Sequence, residues 1–371
     1  PEPALQAARP ATLVRVGEAG LPPAAALGEL RRLAALPSPP RVCLVIRSTA
    51  SDPTAGAAVG LASALRQERP ELDLRCIETV GKVADEAIAA EAARPDGEPW
   101  IRLTTARRER PRLVKLPIPV APPADLSGTV LITGGFGGIG RAMAGWAIAR
   151  GATALVLVGR HPVPLPPMPV PVVPLALDVA AADAAAVMAA ALNGLPPLDA
   201  IIHAAGIRGD ALLDELTPEQ LDAVLAPKLA GALALHELSR RHPVRHFLLF
   251  GSIASFIGAA GQAAYAAANA ALDAFAAFRE AKGQPAKVID WGRWEGEGMV
   301  ATLSSAQQAR IDRRGIRPMP VAQALAALDA AIARPEARIV LAAFDRALLA
   351  AADPPPLLQR YLDEVPAQEA P

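Results

Sequence analysis

The sequence predicts an α/β protein organised around a doubly wound parallel sheet. Three observations support this prediction. Short runs rich in Val, Leu and Ile alternate with alanine-rich helical stretches over most of the chain. A glycine-rich segment, LITGGFGGIGRAM, stands between a strand-like run and a helix. Of the 371 residues, 52% are hydrophobic, which is enough for a sizeable core. Strands that alternate with helices indicate right-handed βαβ crossovers and a parallel sheet.

Composition narrows the possible functions. The formal net charge is zero and aromatic residues make up 4% of the chain, which argues against a protein that mainly binds nucleic acid or an anionic membrane. No apolar run is long enough to span a membrane, and the first residues, PEPALQAARP, do not resemble a signal peptide. The two cysteines, Cys43 and Cys76, form neither a zinc motif nor a disulfide framework. We therefore expect a cytoplasmic protein without a bound metal.

The first part of the chain predicts a Rossmann-like subdomain that lacks a cofactor loop. RVCLVIRS, residues 41–48, is a buried strand by its apolar density, and a helix and a second strand follow in residues 55–78. PWIRLTTARRERPRLVKLPI predicts a strand pair. The first strand leads into STASDPTAG, which has no glycine fingerprint. Residues 1–123 are therefore interpreted as a structural, cofactor-free subdomain, joined to the rest through the proline-rich residues 117–128.

The second part, residues 124–371, predicts another Rossmann-like subdomain with a doubly wound parallel sheet. Helical stretches separate most of its strand-like runs, which are TVLITGG, ALVLVGR, VPLALDV, LDAIIHAAG, RHFLLFGS and AKVIDWG. One connection differs, because HPVPLPPMPVPVVP at residues 161–174 contains too much proline for an α-helix. We expect an extended connection there, with a polyproline ligand for a partner domain as the alternative.

The glycine-rich segment predicts a dinucleotide site. Glycines permit a tight turn and let the backbone approach a pyrophosphate, which then lies at the N-terminus of the following helix. A glycine-rich turn that binds nothing is the alternative. Further contacts are expected where later strands end. The predicted cofactor residues are Thr133, Gly134, Gly135, Phe136, Gly137, Gly138, Ile139, Gly140, Arg160, Asp178, Val179, Ala204, Ala205 and Gly206.

The residue that ends the next strand indicates which dinucleotide binds. Cofactors with a free ribose 2′-hydroxyl usually meet Asp or Glu about 20 residues after the glycines. Here LVLVGRH places Arg160 at that position, and a guanidinium can grip a 2′-phosphate. NADPH is therefore favoured over NADH. Asp178 is placed to reach the adenine, with a helix cap or a turn at the strand end as an equal alternative.

Four polar side chains predict a reactive centre. Tyr265 and Asn269 are one helical turn apart in AGQAAYAAANAALDAF, so they share a helix face. Ser252 ends the strand-like run LLFGS, at the edge where open α/β sheets bind ligands. Lys228 lies in the apolar helix LAPKLAG, although the chain has only five lysines among 37 basic residues. An ordinary surface lysine is the alternative for Lys228.

These groups suit the reduction of a carbonyl. A hydride that reaches a carbonyl carbon creates an alkoxide, which needs a proton donor. Tyr265 can donate that proton if a nearby cation, Lys228, lowers its pKa from about 10. Ser252 can hydrogen-bond the carbonyl oxygen, and Asn269 can hold a water or backbone group that relays the proton. We therefore predict that these four residues are catalytic.

Together the motifs resemble the short-chain dehydrogenase/reductase superfamily, and specifically the ketoreductase domain of a modular (type I) polyketide synthase. The resemblance covers nearly the whole chain and rests on TGGFGGIG, HAAG, LTPEQLDAVLAPKLAGALALHEL, GQAAYAAANAALDAF and IDWGRW. That family places its catalytic lysine upstream of the tyrosine and an asparagine four residues after it, as Lys228 and Asn269 stand here. The resemblance implies NADPH-dependent reduction of a β-ketoacyl chain on an acyl carrier protein, among neighbouring synthase domains.

The resemblance also bears on stereochemistry and substrate binding. B-type members carry an aspartate in a Leu-Asp-Asp motif after HAAG, whereas A-type members carry a tryptophan eight residues before the tyrosine. Here Asp210 occupies the aspartate position, although Arg208 and Gly209 depart from the motif, and Ile257 replaces the tryptophan. The resemblance therefore implies a B-type enzyme that makes a D-hydroxyl. A lid is expected within residues 294–316. Residues expected to contact substrate are Asp210, Ile257, Gln262, Trp291 and Met299.

Other interpretations remain open. A catalytically silent scaffold domain of a synthase would keep the fold, but the complete glycine loop and the four intact polar residues argue against it. A ketoreductase domain of an animal-type fatty acid synthase would perform the same chemistry; the alanine-, proline- and arginine-rich composition favours the polyketide version. A stand-alone steroid or sugar reductase would leave the cofactor-free subdomain unexplained. Gly251 stands where the family commonly has a first serine, and we expect no loss of activity from it.

Overall fold

The computed structural model describes residues 12–16, 22–35, 42–48, 52–117, 124–296, 305–352 and 354–364. For residues 12–16, 305–307 and 310 it describes the backbone alone. Residues 297–304 of the predicted lid, which include Met299, lie outside the described residues. Within the described part of the chain, no helix combines the length and the apolar character needed to cross a bilayer.

The first part of the chain forms a five-stranded sheet. Its strands are β1 (Thr12–Val16), β2 (Val42–Ser48), β3 (Leu74–Val80), β4 (Trp100–Leu103) and β5 (Arg108–Glu109). Its helices are α1 (Pro23–Ala34), α2 (Ala55–Glu68) and α3 (Asp85–Ala92). The strands lie in sequence order; the first four are parallel, and β5 runs antiparallel to β4. The structure confirms the strands, the helix and the strand pair predicted for this part.

The second part forms a seven-stranded sheet in which every pairing is parallel. Its strands are β6 (Thr129–Thr133), β7 (Ala154–Gly159), β8 (Val172–Ala176), β9 (Leu198–His203), β10 (His246–Ser252), β11 (Lys287–Trp291) and β14 (Arg338–Leu341). Their spatial order is β14-β11-β10-β9-β6-β7-β8, which reverses direction beside β6. A parallel, doubly wound sheet is therefore confirmed, and such a reversal is where open α/β sheets bind ligands.

Most helices of the second part connect strands of this sheet, and the last two follow its last strand. They are α4 (Gly138–Ala149), α5 (Ala184–Ala191), α6 (Pro218–Leu225), α7 (Gly231–Arg241), α8 (Ala254–Ile257), α9 (Ala263–Glu280), α10 (Ser305–Arg313), α11 (Val321–Ile332), α12 (Arg346–Ala351) and α13 (Pro356–Glu364). A small three-stranded sheet contains β12 (Arg293–Trp294), β13 (Ile316–Met319) and β15 (Ala343–Phe344). Between β7 and β8 the proline-rich chain forms no helix, as predicted.

Apolar side chains alternate between the two faces of the seven-stranded sheet. Along β10, Phe247 and Leu249 belong to one core cluster with residues of α9 and α7. Leu248 and Phe250 belong to a second cluster with residues of α4 and α11. Helices therefore cover both faces of the sheet, as a strand that is buried on both sides requires.

Helix α2 of the first part packs backbone to backbone against α9 of the second. A Cβ on Gly60 would lie 2.6 Å from the Ala266 carbonyl carbon, and a Cβ on Gly56 would lie 2.7 Å from that of Ala270. Only glycine permits so close an approach at these two positions. The first part of the chain therefore supports the helix that carries Tyr265. The domain boundary between residues 123 and 124 stays a prediction.

Candidate active site

The glycine-rich segment forms a tight turn between β6 and α4. Gly134 has a left-handed backbone (φ 69°), and a Cβ there would lie 2.9 Å from the carbonyl carbon of Ala204. A Cβ on Gly140 would lie 2.7 Å from Gly135 Cα. Side chains at these positions would fill the turn. Gly137 is the N-cap of α4, so unpaired N–H groups of the helix start lie beside the turn.

A cavity of about 540 Å³ opens at this turn. Eight predicted cofactor residues line it: Gly134, Phe136, Gly137, Arg160, Asp178, Val179, Ala205 and Gly206. Six others are described but are not part of the lining: Thr133, Gly135, Gly138, Ile139, Gly140 and Ala204. Asp178 lines the cavity, and its Oδ1 also accepts a hydrogen bond from the Ala180 N–H at 2.9 Å, as expected of a turn at the strand end. Its contact with an adenine stays a prediction.

A buried chain of hydrogen bonds fixes the backbone of Lys228. The Thr133 hydroxyl lies 2.7 Å from His203 Nδ1, and His203 Nε2 lies 2.9 Å from the Lys228 carbonyl oxygen. Because a carbonyl only accepts, Nε2 carries the proton and Nδ1 accepts from Thr133. Burial lowers the pKa of His203 to about 4, so the ring is neutral at pH 7. His203 therefore links the end of β9 to the segment that holds the lysine.

Lys228 lies in a single π-helical turn, Ala226–Ala230, between α6 and α7. Thr217 begins α6 with a capping box that involves Gln220, so the start of this helical segment is well defined. Pro227, at the start of the π-turn, has no N–H to contribute to an α-helical ladder. Single π-turns of this kind occur frequently at functional sites.

The Lys228 side chain is buried in the protein and does not extend into solvent. The residue is 3% exposed, and its Nζ donates a hydrogen bond to the Phe250 carbonyl oxygen at 2.8 Å. A Cβ on Gly206 would lie 3.0 Å from Lys228 Cε, so glycine leaves room for the lysine beside the cavity. Burial lowers the pKa of Lys228 to about 8, which the negative charges of Asp290 and Asp273 oppose. The surface-lysine alternative is therefore wrong.

Ser252, Tyr265 and Asn269 come together where β10 ends. Asn269 Nδ2 donates a hydrogen bond to the Tyr265 carbonyl oxygen at 2.8 Å. Asn269 Oδ1 is buried and has no hydrogen-bond partner among the described residues. The side chains of Ser252 and Asn269 both act on the Tyr265 phenol, because each lowers its pKa. The unpaired amide oxygen suits a bound water or a ligand hydroxyl.

The pKa of Tyr265 does not shift in the predicted direction. Burial of the phenol raises it, and the side chains of Ser252 and Asn269 only partly offset that rise. The Lys228 ammonium is engaged by the Phe250 carbonyl, so the expected lowering of the phenol pKa by this cation is not seen. A raised pKa keeps Tyr265 protonated at neutral pH, which is the state that a proton donor needs.

A buried ion cluster lies beside Lys228, between β11 and α9. Arg338 Nε donates to Asp290 Oδ2 at 2.7 Å, and Arg338 Nη2 lies 2.8 Å from Asp273 Oδ2 and 3.0 Å from Ser255 Oγ. Burial raises the pKa of both carboxyl groups, and the charge of Arg338 opposes the rise. A Cβ on Gly251 would overlap Asp290 Oδ1, so glycine fits this position better than serine.

Asp210 and Gln262, both predicted to contact substrate, lie next to each other. Gln262 Nε2 donates to Asp210 Oδ1 at 3.4 Å, and a backbone bridge joins Ala211 to Gln262. Arg208 Nη1 lies 3.7 Å from Asp210 Oδ2. The loop after β9 is therefore tied to the loop that precedes Tyr265.

Two other predicted substrate residues pack in the core. Ile257 is 7% exposed and belongs to the apolar cluster that includes Leu358 of α13. Trp291 is 4% exposed, and its ring packs against Phe250 and Trp294 with centroids 5.3 Å and 4.9 Å away. Both side chains fill space between elements, which differs from the substrate contact expected of them.

The cavity also has lining residues that the sequence analysis did not single out. They are Gly159, His161, Leu177, Ala180, Ile207, Ala223, Ala226 and Pro227. The first five adjoin predicted cofactor residues at strand ends, so proximity in sequence was a usable signal. The last three come from α6 and the π-turn, which only the tertiary fold brings to the cavity. Among the described residues, no group of three His, Cys, Asp or Glu side chains is placed to hold a metal.

Comparison with known proteins places these features in a family. A family profile described as the KR domain matches residues 128–296. Spectinabilin polyketide synthase system protein NorB of Streptomyces orinoci is 40% identical over 232 residues, which are 59% of this chain and 11% of that protein. Pikromycin polyketide synthase component PikAIII of Streptomyces venezuelae is 34% identical over 315 residues, 80% of this chain and 20% of that protein. The chain thus spans a fifth or less of these two relatives.

Solved structures of ketoreductases are also similar to this chain. A structure titled as A-type ketoreductases from a modular polyketide synthase has a TM-score of 0.83 and 30% identity, and the match covers 92% of this chain and 78% of that one. The ketoreductase from the first module of phoslactomycin biosynthesis in Streptomyces sp. HK803 has a TM-score of 0.81 and 30% identity over 93% and 85% of the two chains. With the glycine turn and the polar residues at the end of β10, these matches show that the chain belongs to the ketoreductase domains of modular polyketide synthases, oxidoreductases of the short-chain dehydrogenase/reductase superfamily that bind a nicotinamide cofactor.

Proposed function

We propose that this domain uses NADPH to reduce the β-keto group of an acyl chain carried by an acyl carrier protein, giving a D-configured hydroxyl. The observation that supports this most is the meeting of Ser252, Tyr265 and Asn269 at the end of β10. Lys228 lies on the other side of Gly206, next to the glycine-lined cavity. We further propose that neighbouring synthase domains flank this one, as they do in the much longer relatives.

The lining of the cavity fits a phosphorylated dinucleotide. The glycine turn offers backbone N–H groups without obstructing side chains, and the start of α4 favours negative charge. Arg160, exposed at the end of β7, would pair with a 2′-phosphate, and Asp178 and Val179 would border the adenine. NADPH, when bound, supplies the hydride. An Asp or Glu at this position would favour a cofactor with a free 2′-hydroxyl, whereas residue 160 is arginine.

The reactive side chains would bind and protonate the keto oxygen. The hydroxyls of Ser252 and Tyr265 would both donate to this oxygen and hold it in one orientation. Tyr265, kept protonated by its raised pKa, would give its proton to the oxygen as negative charge develops there. Lys228 is charged below about pH 8 and would favour the phenolate that remains. The free Asn269 Oδ1 would hold a water that returns the proton.

The proposed D configuration rests on the loops that carry Asp210 and Gln262, and we propose that the substrate groove lies between these loops and Tyr265. Asp210 occupies the aspartate position of B-type relatives and is held against Gln262. Ile257 stands where A-type relatives carry tryptophan, and it packs in the core, so this chain has no indole at that position. The substrate would therefore enter past the loop that carries Asp210.

One experiment tests the proposed function. The domain is incubated with NADPH and a β-ketoacyl thioester of an acyl carrier protein, and the alcohol is released and resolved by chiral chromatography. We expect NADPH consumption that depends on the ketoacyl group and a mainly D-alcohol product. A carrier that bears the already reduced chain is the control. Failure to consume NADPH would contradict the reaction, and a mainly L-alcohol would contradict the configuration.

A further inference from the structure

We propose that Glu68, at the C-terminal end of α2, is a positioning residue that sets the shape of the substrate groove. The cofactor-free part of the chain would then contribute to substrate binding and to the configuration of the product. This inference rests on the proposed function, because it concerns the groove in which the ketoacyl chain would lie.

The carboxylate of Glu68 holds two separate loops of the catalytic part. Its Oε2 accepts a hydrogen bond from the Leu213 N–H at 2.8 Å, and its Oε1 accepts one from the Gly261 N–H at 2.9 Å. Leu213 lies three residues after Asp210, and Gly261 directly precedes Gln262. One side chain therefore uses both oxygens to set the separation of the loops that carry these two groove residues.

The two loops are also joined directly at the same place. Gln262 donates to Asp210, and Ala211 forms a backbone bridge to Gln262. From helix α1, Arg31 Nε donates to the Leu213 carbonyl oxygen at 3.0 Å. Leu213 thus has its N–H bound by α2 and its carbonyl bound by α1, and its side chain is fully buried. The loop after β9 is held in place by the first part of the chain.

A third segment reaches the same end of α2. Arg314, which follows α10 in the predicted lid, donates through Nη2 to Gln67 Oε1 at 2.8 Å. A Cβ on Gly258 would lie 2.5 Å from the carbonyl carbon of Ser63, so the chain before α9 also packs tightly on α2. The segments before Tyr265, after β9 and after α10 therefore converge on residues 63–68.

We call the two hydrogen bonds from the Leu213 and Gly261 N–H groups to Glu68 the clamp. The charge of Glu68 makes the clamp sensitive to substitution. Glu68 is half-buried, and burial raises its pKa, while the two N–H donors oppose that rise by stabilising the carboxylate. Hydrogen bonds to an ionised acceptor are stronger than neutral ones, and an unpaired buried N–H is costly. Glutamine keeps the size of the side chain but replaces one accepting oxygen with an NH₂ donor, so one of the two loops would be released.

The test compares Glu68→Gln and Glu68→Ala with the matched control Glu71→Gln. Glu71 is a nearby exposed carboxylate that pairs with Arg69. Hydrogen exchange should speed up at the Leu213 and Gly261 amides in the Glu68 variants only. The KM for a carrier-bound β-ketoacyl substrate should rise about tenfold, the effect of losing one charge-assisted hydrogen bond. The share of the minor alcohol should also rise, while the Kd for NADPH stays within about twofold because Glu68 lies outside the cavity lining.

The outcomes separate the clamp from the proposed function. If wild type reduces the substrate and Glu68→Gln matches it in KM, product ratio and amide exchange, the clamp is wrong and the proposed function stands. If Glu68→Ala does not fold, Glu68→Gln alone decides by the same readouts. If Glu68→Gln weakens NADPH binding as much as it raises KM, the residue acts on general stability and the inference fails. If wild type itself does not reduce the substrate, the proposed function fails and the inference falls with it.

Discussion

Replacing Lys228 with methionine should abolish activity at little cost in stability at pH 7. Burial brings the pKa of Lys228 from 10.5 to about 8. One pKa unit corresponds to about 1.4 kcal/mol, so keeping this amine charged inside the folded protein costs about 3 kcal/mol. Methionine removes that cost but leaves the Phe250 carbonyl without its donor, a loss of about 1–3 kcal/mol. The two effects nearly cancel, so the free energy of unfolding at pH 7 should change by less than about 2 kcal/mol.

The stability difference between the two proteins should then depend on pH. Because the folded-state pKa of Lys228 lies below its unfolded value, the unfolded chain binds more protons between about pH 8 and 10.5. The wild-type free energy of unfolding therefore rises across this window, since the cost of the buried charge is full below it and absent above it. Relative to Lys228→Met, wild type should gain about 2–3 kcal/mol between pH 7 and pH 10.

Urea denaturation of both proteins at pH 7 and pH 10 measures this gain, and titrating groups that do not interact with Lys228 cancel in the difference. In parallel, kcat/KM of wild type should fall as the pH rises through about 8, because the charged amine is lost. A stability difference that is the same at both pH values would refute the reasoning. So would a variant that is more than about 4 kcal/mol less stable than wild type at pH 7.

Three further substitutions test particular contacts. Arg160→Asp should weaken NADPH binding far more than NADH binding, measured by titration; equal losses would contradict the proposed 2′-phosphate contact. Gly60→Ala places a Cβ 2.6 Å from the Ala266 carbonyl carbon in α9 and should lower the free energy of unfolding by about 1–3 kcal/mol and reduce kcat. Gly28→Ala, which has nothing within 4 Å, is its control, and equal melting temperatures would contradict the account. Gly251→Ser should lower the free energy of unfolding, because the new side chain would overlap Asp290 Oδ1. In a protein that already carries Asp290→Ala, the same substitution should cost less. Equal costs in the two backgrounds, which means additive effects in the double variant, would contradict this.

Features that depend on neighbouring residues in the sequence could be predicted. The glycine-rich turn and Arg160 follow their strands directly, so strand prediction placed them at one sheet edge. The proline-rich connection between β7 and β8 could be predicted because prolines recur so closely in residues 161–174 that no stretch is left for a helix interior, where proline is not tolerated. Tyr265 and Asn269 share a helix face because four residues make about one turn.

Features that depend on contacts between distant segments could not be predicted. Glu68 meets Leu213 across 145 positions of sequence, and no pattern around either residue indicates the contact. Trp291 ends a strand near the site, but the side of the sheet on which its ring packs depends on α4 and α11. The shift in the Tyr265 pKa depends on burial, because the Lys228 ammonium bonds to a backbone carbonyl that sequence does not reveal.

The central claim is that the Tyr265 hydroxyl delivers the proton to the keto oxygen. The most direct measurement compares Tyr265→Phe with wild type for NADPH affinity and for turnover of a carrier-bound β-ketoacyl substrate. The account predicts an unchanged NADPH affinity and a turnover that falls by about a hundredfold or more. A phenylalanine variant that turns over as fast as wild type, with the same affinity for NADPH, would contradict it.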